Sequence, residues 1–366
     1  MRITNVDTLL LSADIGKPLK DATFSVGREQ AIVRVFTDEG IVGIGEACQF
    51  VAVSAAREIV EKGLKPLLLG EDPFDVERLW QRMYLQSYLY GRSGAAIIAM
   101  SGVEMSLWDI MGKALNVPVY KLLGGKCRDK VKAYATGGFE ISTEKLTKEF
   151  VGYVEKGFRA VKMKIGYDFG TDIERVKAVR GAIGHDIDLM VDGNISYTPQ
   201  MAIRIGKEIE KYNISWFEEP IPPDDVDGML KIASSLNIPL AAGENNYTRY
   251  GFKDLISRRA VDIIQADVAR VGGFLECKKI ASMADTYGIL CAPHGFGHTV
   301  GLVANLHFIV STPNGIMVEV DQMPDPLRDE LLSEPVDVKN GYVDIPTKPG
   351  LGVELSEDAL RKYSLK

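Results

Sequence analysis

Cysteine is scarce in this chain. The four present, Cys48, Cys127, Cys277 and Cys291, lie far apart and form no C-x-x-C pair, which argues against a disulfide framework and against a zinc ribbon. That usage fits a reduced, cytoplasmic compartment. Positive charge is short as well: the formal net charge is -7, and no dense Lys/Arg run offers a patch to phosphates, so nucleic-acid and membrane-surface binding are disfavoured. The N-terminal stretch MRITNVDTLLLSAD is too short and too interrupted for a signal sequence, and no later segment reads as a membrane span. Low-complexity linkers are missing too.

What is present is ordinary globular material, 46% hydrophobic and 25% charged over 366 residues, enough for a barrel and a smaller second domain. The first third reads as α+β. A strand is expected near 3–11, then a hairpin of 31–36 and 41–46 turning at Asp38-Glu39-Gly40, then helices beginning near Val53, Asp75 and Gly94. After Leu122-Leu123-Gly124-Gly125 short apolar runs alternate with amphipathic stretches, as in successive βα units of a parallel sheet, which places a domain boundary near Gly125. Eight strand-like runs follow, at 131–136, 160–165, 189–192, 215–218, 239–243, 261–267, 288–293 and 315–320, the number that closes a (β/α)₈ barrel. Beyond them 335–338 and 342–345 read as a hairpin turned by Asn340-Gly341. The expected organisation is an α+β capping domain over 1–125, a barrel over 126–322 and a segment 323–366 that returns to the cap.

At or near the C-terminal end of seven consecutive runs stands an ionisable residue: Lys164, Asp192, Glu218, Glu244, Asp267, His294 and Glu319. Each step is about one βα unit, so all seven should emerge on one barrel face. Any one alone could be the first solvated position after an apolar strand. Seven in register, on strands otherwise buried on both faces, call for a metal, a partner or a substrate. Asp192, Glu218 and Glu244 come from adjacent strands, and three converging carboxylates would repel one another without a cation; an all-oxygen set with open positions suits Mg²⁺, or Mn²⁺. Lys162 and Lys164 are two apart on a strand and share its inward side, where desolvation and a nearby cation favour the neutral amine while carboxylates oppose it. Asp267 and His294 lie one unit apart, so the carboxylate can orient the imidazole for acid/base work. Glu319 can donate a hydrogen bond if protonated. His185, His298 and His307 read as structural, the glycines Gly295, Gly297 and Gly301 do not make a nucleotide loop, and Trp80, Tyr84, Tyr88 and Tyr90 read as core and interface packing.

At these residues nearly the whole chain resembles the enolase superfamily, and within it the mandelate racemase subgroup. The resemblance implies a cap over a modified barrel and a homo-oligomeric assembly. It further implies Mg²⁺ on Asp192, Glu218 and Glu244, with Lys164 as base on one face and His294 with Asp267 as acid/base on the other. Glu319 would bind the enediolate oxygen and Lys162 the substrate carboxylate. The implied substrate is a small carboxylate, an acid sugar, whose α-proton is removed and whose dehydration gives a 2-keto-3-deoxy acid. The rival course returns a proton, as in a racemase, epimerase or cycloisomerase. With IIQADV on the sixth strand and no lysine there, the two-lysine subgroup fits worse. Specificity would come from loops 13–28 and 49–54, where Lys17, Lys20, Arg28 and Gln49 suit either a polyhydroxylated ligand or plain solvent. Two other classes stand beside this: a metal-free barrel glycosidase with paired carboxylates, and a silent barrel kept for binding.

Overall fold

The computed structural model describes residues 1–20, 23–48, 50–139 and 142–365. Its N-terminal layer is an antiparallel sheet, β1 (Ile3–Ala13), β2 (Arg28–Thr37) and β3 (Val42–Ala47), in the order β1-β2-β3. Alternation along β2 turns Ala31, Val33 and Val35 to one buried cluster, which the helices α1 (Val76–Ser87) and α2 (Ala95–Ala114) complete. Glycine is required in β3. A Cβ on Gly45 would stand 2.1 Å from the Gly102 carbonyl oxygen, so strand and helix touch backbone to backbone.

One helix departs from the sequence reading. α2 is long and apolar enough to cross a membrane by length and composition, but 89% of its apolar window is buried inside the molecule, where it is the central helix of this layer. The aromatic cluster also divides: Trp80 and Tyr84 are buried, whereas Tyr88 and Tyr90 are exposed.

The second layer is the barrel. Its strands are β4 (Val131–Gly137), β5 (Ala160–Lys164), β6 (Asp188–Asp192), β7 (Ile214–Glu218), β8 (Leu240–Ala242), β9 (Ile263–Ile264), β10 (Leu290–Cys291) and β11 (Met317–Asp321). They pair in parallel in chain order, β11 returns to β4, and a parallel bridge between Cys291 and Gly315 closes the ring. Among the described residues seven helices clothe the outside: α3 (Thr143–Glu155), α4 (Phe169–Ile183), α5 (Pro199–Ile209), α6 (Val226–Ala233), α7 (Thr248–Ser257), α8 (Phe274–Asp285) and α9 (Val300–Val310). The fold is thus an α/β barrel of the TIM type under an N-terminal cap.

Inside the barrel the two-residue period sorts the chemistry. Tyr134, Ala160, Met190, Trp216, Ala241, Ile263, Ala292 and Met317, one residue per strand, form a separate buried apolar cluster that plugs the interior. Two residues further along each strand the next inward position carries Thr136, Lys162, Asp192, Glu218, Gly243, Gln265, His294 and Glu319. The apolar layer is therefore the floor on which the polar ring stands.

Two buried glutamates join the layers. Glu104 of α2 accepts from the backbone N–H of Phe274 (2.7 Å) and Leu275 (3.0 Å), the first turn of α8. Glu46 of β3 accepts from Thr299 (3.1 Å) and Gly301 (2.9 Å) at the start of α9. Each places a carboxylate where a helix leaves its first amides unpaired. Trp80 adds a hydrogen bond from its indole to the Gly272 carbonyl (2.8 Å).

The tail divides its loyalties. Its hairpin, β12 (Val338–Lys339) and β13 (Tyr342–Val343), turns at Asn340 and Gly341 with positive φ at both, but β13 pairs antiparallel with the start of β4 and so extends the barrel sheet. The tail also meets the cap: Pro324 and Asp325 take Arg28 of β2, the Leu351 amide donates to Asp109 of α2 (2.8 Å), Ser364 bridges Leu11, and Leu365 donates to the Leu10 carbonyl (2.8 Å). The hairpin itself pairs with the backbone at the foot of β4.

His307 of α9 bolts three segments together: its Nδ1 accepts from the Tyr120 amide (3.2 Å) and its Nε2 donates to the Leu351 carbonyl (3.0 Å). Only the neutral ring satisfies both, and burial pushes its pKa down to about 4. The unfolded chain takes up a proton near 6.5 while the folded chain does not until about 4, so stability should fall on acidification across that window, by on the order of 3 kcal/mol. Urea midpoints measured from pH 7 to pH 4 should show a flatter profile for His307→Gln than for wild type; parallel profiles would refute this.

Candidate active site

On β5 the alternation sends Val161 and Met163 outward against the helices and Lys162 and Lys164 inward. The Lys164 ammonium lies 2.6 Å from Asp192 Oδ2. Lys162 donates to Glu218 and stands 3.0 Å from Glu319 and 3.7 Å from Asp192. Burial alone would lower both amines, but the Asp192 carboxylate beside Lys164, and the Glu218 and Glu319 carboxylates beside Lys162, raise them above the usual lysine range. The carboxylates win this contest in the arrangement seen here.

Asp192, Glu218 and Glu244 meet. One oxygen from each lies within 4.8 Å of the others, and all three residues are buried. Local structure aims each of them. Asp192 Oδ1 accepts from the Asn194 amide two residues on (2.8 Å), while Asn194 and the β-branched Ile195 both take positive φ, and Glu219, just after Glu218, has a φ of 31°. Such backbone strain gathers where geometry has been set by function. Glu244 is held through its carbonyl, which accepts from Arg270 Nε (2.9 Å), while Trp216 donates to Glu218 Oε2 (3.0 Å). Burial pushes the Glu218 carboxyl well above its ordinary value; Lys162 opposes this, and the neighbouring Asp192, Glu319 and Glu244 charges reinforce it. Concentrated negative charge with oxygen donors only is what a hard divalent cation relieves, so the residues fit Mg²⁺ or Mn²⁺.

Across the mouth, His294 Nδ1 faces Asp267 Oδ2 at 2.8 Å, and its Nε2 looks toward Glu244 Oε2 at 3.7 Å. Burial would raise the Asp267 carboxyl, but the imidazoles of His298 and His294 hold it far below the usual range. Glu319 accepts at both oxygens, from Thr136 Oγ1 (2.5 Å) and Lys162 on one, from the Gly295 amide (2.9 Å) and Tyr134 (3.3 Å) on the other. It is an acceptor throughout this arrangement, not the donor that a protonated carboxyl would be.

The cavity above these groups holds about 260 Å³. Lys162, Lys164, Glu244, His294 and Glu319 line it from the barrel, together with Asn194, Asn245 and Arg270. Its other wall is largely apolar: Phe24, Val26, Phe50, Val51, Ile98, Phe139 and Phe296. Phe24, Val26, Phe50 and Val51 lie on the two loops expected to set specificity, 13–28 and 49–54, but sequence reasoning named the polar residues there and missed the aromatic ones, which sit on loops without periodicity.

Of the loop residues singled out for specificity, Lys17 and Lys20 are exposed and away from the cavity, and Gln49 falls outside the described residues. Arg28 is neither solvated nor free for a ligand. It is buried, paired with Asp321 (2.7 Å) and Asp325 (3.4 Å) and stacked over Phe296. His298, read as structural, is buried between Asp267 and Glu46.

Known proteins resemble this chain over nearly its whole length. Residues 6–124 match the model of the mandelate racemase / muconate lactonizing enzyme N-terminal domain, and 145–359 that of the enolase C-terminal domain-like family. The chain is similar to an arabinonate dehydratase of Saccharolobus solfataricus, 40% identical over 92% of this chain and 91% of that one. It is similar to a D-galactarolactone cycloisomerase of Agrobacterium fabrum, 36% identical over 100% and 99%. A crystal structure of a racemase from Streptomyces coelicolor with bound magnesium superposes with a TM-score of 0.92 at 31% identity, covering 99% of this chain and 100% of that one.

Gly243, with φ of 143°, sets the backbone one residue before Glu244, and a Cβ there would lie 2.7 Å from the Phe252 ring and 2.9 Å from the Gln265 amide nitrogen. Gly243→Ala should displace Glu244 and weaken Mg²⁺ binding roughly 10- to 100-fold in titration calorimetry. Unchanged affinity in a folded variant would contradict the role given to this position.

Proposed function

This chain belongs to the enolase superfamily, in its mandelate racemase and muconate lactonizing enzyme branch, and from that premise we propose that it dehydrates an acid sugar, an aldonate or aldarate, to the 2-keto-3-deoxy acid. The observation that carries the reading is one cavity lined by an amine, an imidazole paired with a carboxylate, and the edge of a buried carboxylate cluster. Asp192, Glu218 and Glu244 are the residues that would hold Mg²⁺. What the ion supplies when bound is a compact double charge beside the substrate carboxylate, which acidifies the neighbouring carbon.

The chain's own residues do the rest. Lys162 binds the substrate carboxylate from the barrel floor. Lys164, as the neutral amine that a cation on Asp192 would favour, or His294 removes the proton from C2, and the pair of electrons left behind spreads into the carboxylate as an enediolate. Those electrons return to form the C2–C3 double bond as the C3–O bond breaks, with His294 Nε2 delivering a proton so that hydroxide departs as water. The enol then takes a proton at C3 and becomes the 2-keto-3-deoxy acid. Asp267 keeps the His294 ring oriented. The apolar wall excludes water from the reacting carbon.

A second reading has support of its own. Phe24, Phe50, Phe139 and Phe296 make a wall better suited to a compact ring than to an extended row of hydroxyls. That favours a cycloisomerase acting on a lactone or anhydro acid, in which the same proton removal at C2 is followed by breaking of the C3–O bond of the ring; the ring oxygen stays on the product, no water is lost, and the enol again becomes a 2-keto acid.

The test is a screen of aldonates, aldarates, their lactones and anhydro acids in D₂O with Mg²⁺, following deuterium at C2 by NMR and keto acid with semicarbazide. Dehydration predicts keto acid from the open-chain acids with loss of water, cycloisomerisation predicts keto acid from the lactones or anhydro acids with no water lost, and deuterium at C2 without keto acid would mark an epimerase instead. Lys164→Ala and His294→Asn should each lower turnover by about 10²-fold or more. A glycosidase or a silent barrel would show neither signal, and glycosidic activity surviving EDTA would overturn the proposal.

A further inference from the structure

His298 stands outside the substrate cavity, in the turn between β10 and α9, with a fully buried side chain. Its Nε2 is 2.6 Å from Asp267 Oδ2 and its Nδ1 is 3.2 Å from Glu46 Oε1. Carboxylate oxygens only accept, so both ring nitrogens must donate and the ring is an imidazolium. Burial opposes that charge, yet the Asp267 carboxylate raises His298 well above the ordinary histidine value.

The oxygen that His298 occupies is the one that takes the His294 Nδ1 proton at 2.8 Å, and the two rings stand at 87° with centroids 5.7 Å apart. Asp267 Oδ1 is held separately, by the Ala269 amide (2.9 Å) and Asn305 Nδ2 (3.3 Å). The far end of the chain of contacts is fixed as well, because the other oxygen of Glu46 caps the start of α9. A cap-domain carboxylate is thus linked through His298 and Asp267 to the imidazole that faces substrate.

We propose that His298 is a positioning residue for His294: by sharing Asp267 Oδ2 it fixes the carboxylate, and through it the direction in which His294 Nε2 points into the cavity. It acts only through Asp267, since it does not itself line the cavity. The catalytic part of this inference rests on the function proposed above. It predicts an effect on one face of the substrate only, because Lys164 approaches from β5 and has no contact with His298.

The variants are His298→Ala, His298→Asn and His298→Gln. The Asn amide nitrogen lies where Nδ1 lies and can still reach Glu46, whereas the Gln amide nitrogen lies where Nε2 lies and can reach Asp267. The probes are pairs of acids epimeric at C2, D-arabinonate with D-ribonate and D-galactonate with D-talonate, whose C2 exchange in D₂O with Mg²⁺ is read by NMR. His294→Asn identifies the epimer served by histidine and Lys164→Ala the one served by lysine. Exchange on the histidine face should fall at least about 10-fold in His298→Ala and His298→Asn with KM changed less than about 2-fold, recover in His298→Gln, and stay near wild type on the lysine face throughout. Equal loss on both faces, or undiminished histidine-face exchange in His298→Ala, would overturn the proposal.

A second measurement needs no substrate. In ¹⁵N-histidine-labelled protein, the low-field proton on His294 Nδ1, assigned by its loss in His294→Asn, should move further downfield in His298→Ala, where Asp267 Oδ2 is no longer shared, and return in His298→Gln. No movement would sink the positioning role. If wild type exchanges none of the four acids, the functional reading loses its support and the resonance decides this one alone.

Discussion

Three carboxylates with oxygens inside 4.8 Å of one another, at the buried end of a barrel, are a liability for folding alone. Each loses hydration, and each raises the cost of charging the next. Two lysines on β5 meet part of that cost, Lys162 lying among Glu218, Glu319 and Asp192 and Lys164 against Asp192. The remainder of the site follows from this concentration of charge. The apolar layer of Tyr134, Trp216 and Met190 beneath it supplies a rigid, dry floor, and the strained turns at Asn194, Ile195 and Glu219 hold the carboxylates where relaxed backbone would not.

The same device, a buried carboxylate facing donors that have no other partner, joins the two layers. Glu104 and Glu46 leave the cap to satisfy the first amides of α8 and α9, and Glu46 also meets His298. Cap and catalytic groups are consequently not independent. The cap contributes Phe24, Val26, Phe50, Val51 and Ile98 to the cavity wall, and through Glu46 it reaches Asp267 and His294 from behind.

The barrel was readable because its constraint is periodic. Strands buried on both sides must be apolar, so a charge at the end of each, repeated every βα unit, stands out against that background; Lys164, Asp192, Glu218, Glu244, Asp267, His294 and Glu319 all surround the barrel mouth as the spacing implied. Features decided by a single tertiary contact were not readable. Arg28 looks like a loop cation until Asp321 and Asp325 are brought against it, and His298 looks like any buried histidine until Asp267 is seen to serve two rings. α2 was not read as a membrane span, yet it has that length and composition, because burial in a protein core and burial in lipid ask for the same residues. The hairpin at Asn340-Gly341 was legible from its turn, but its partner was not, since a two-residue strand carries no mark of the edge it will join.

The central claim is that Asp192, Glu218 and Glu244 act together as one cation site. It is tested most directly by calorimetric titration of Mg²⁺ into protein stripped with EDTA. The account predicts one ion per chain in wild type and loss of that binding in Asp192→Asn, Glu218→Gln and Glu244→Gln alike. Mg²⁺ binding that survives in any one of these three variants at wild-type affinity would contradict it.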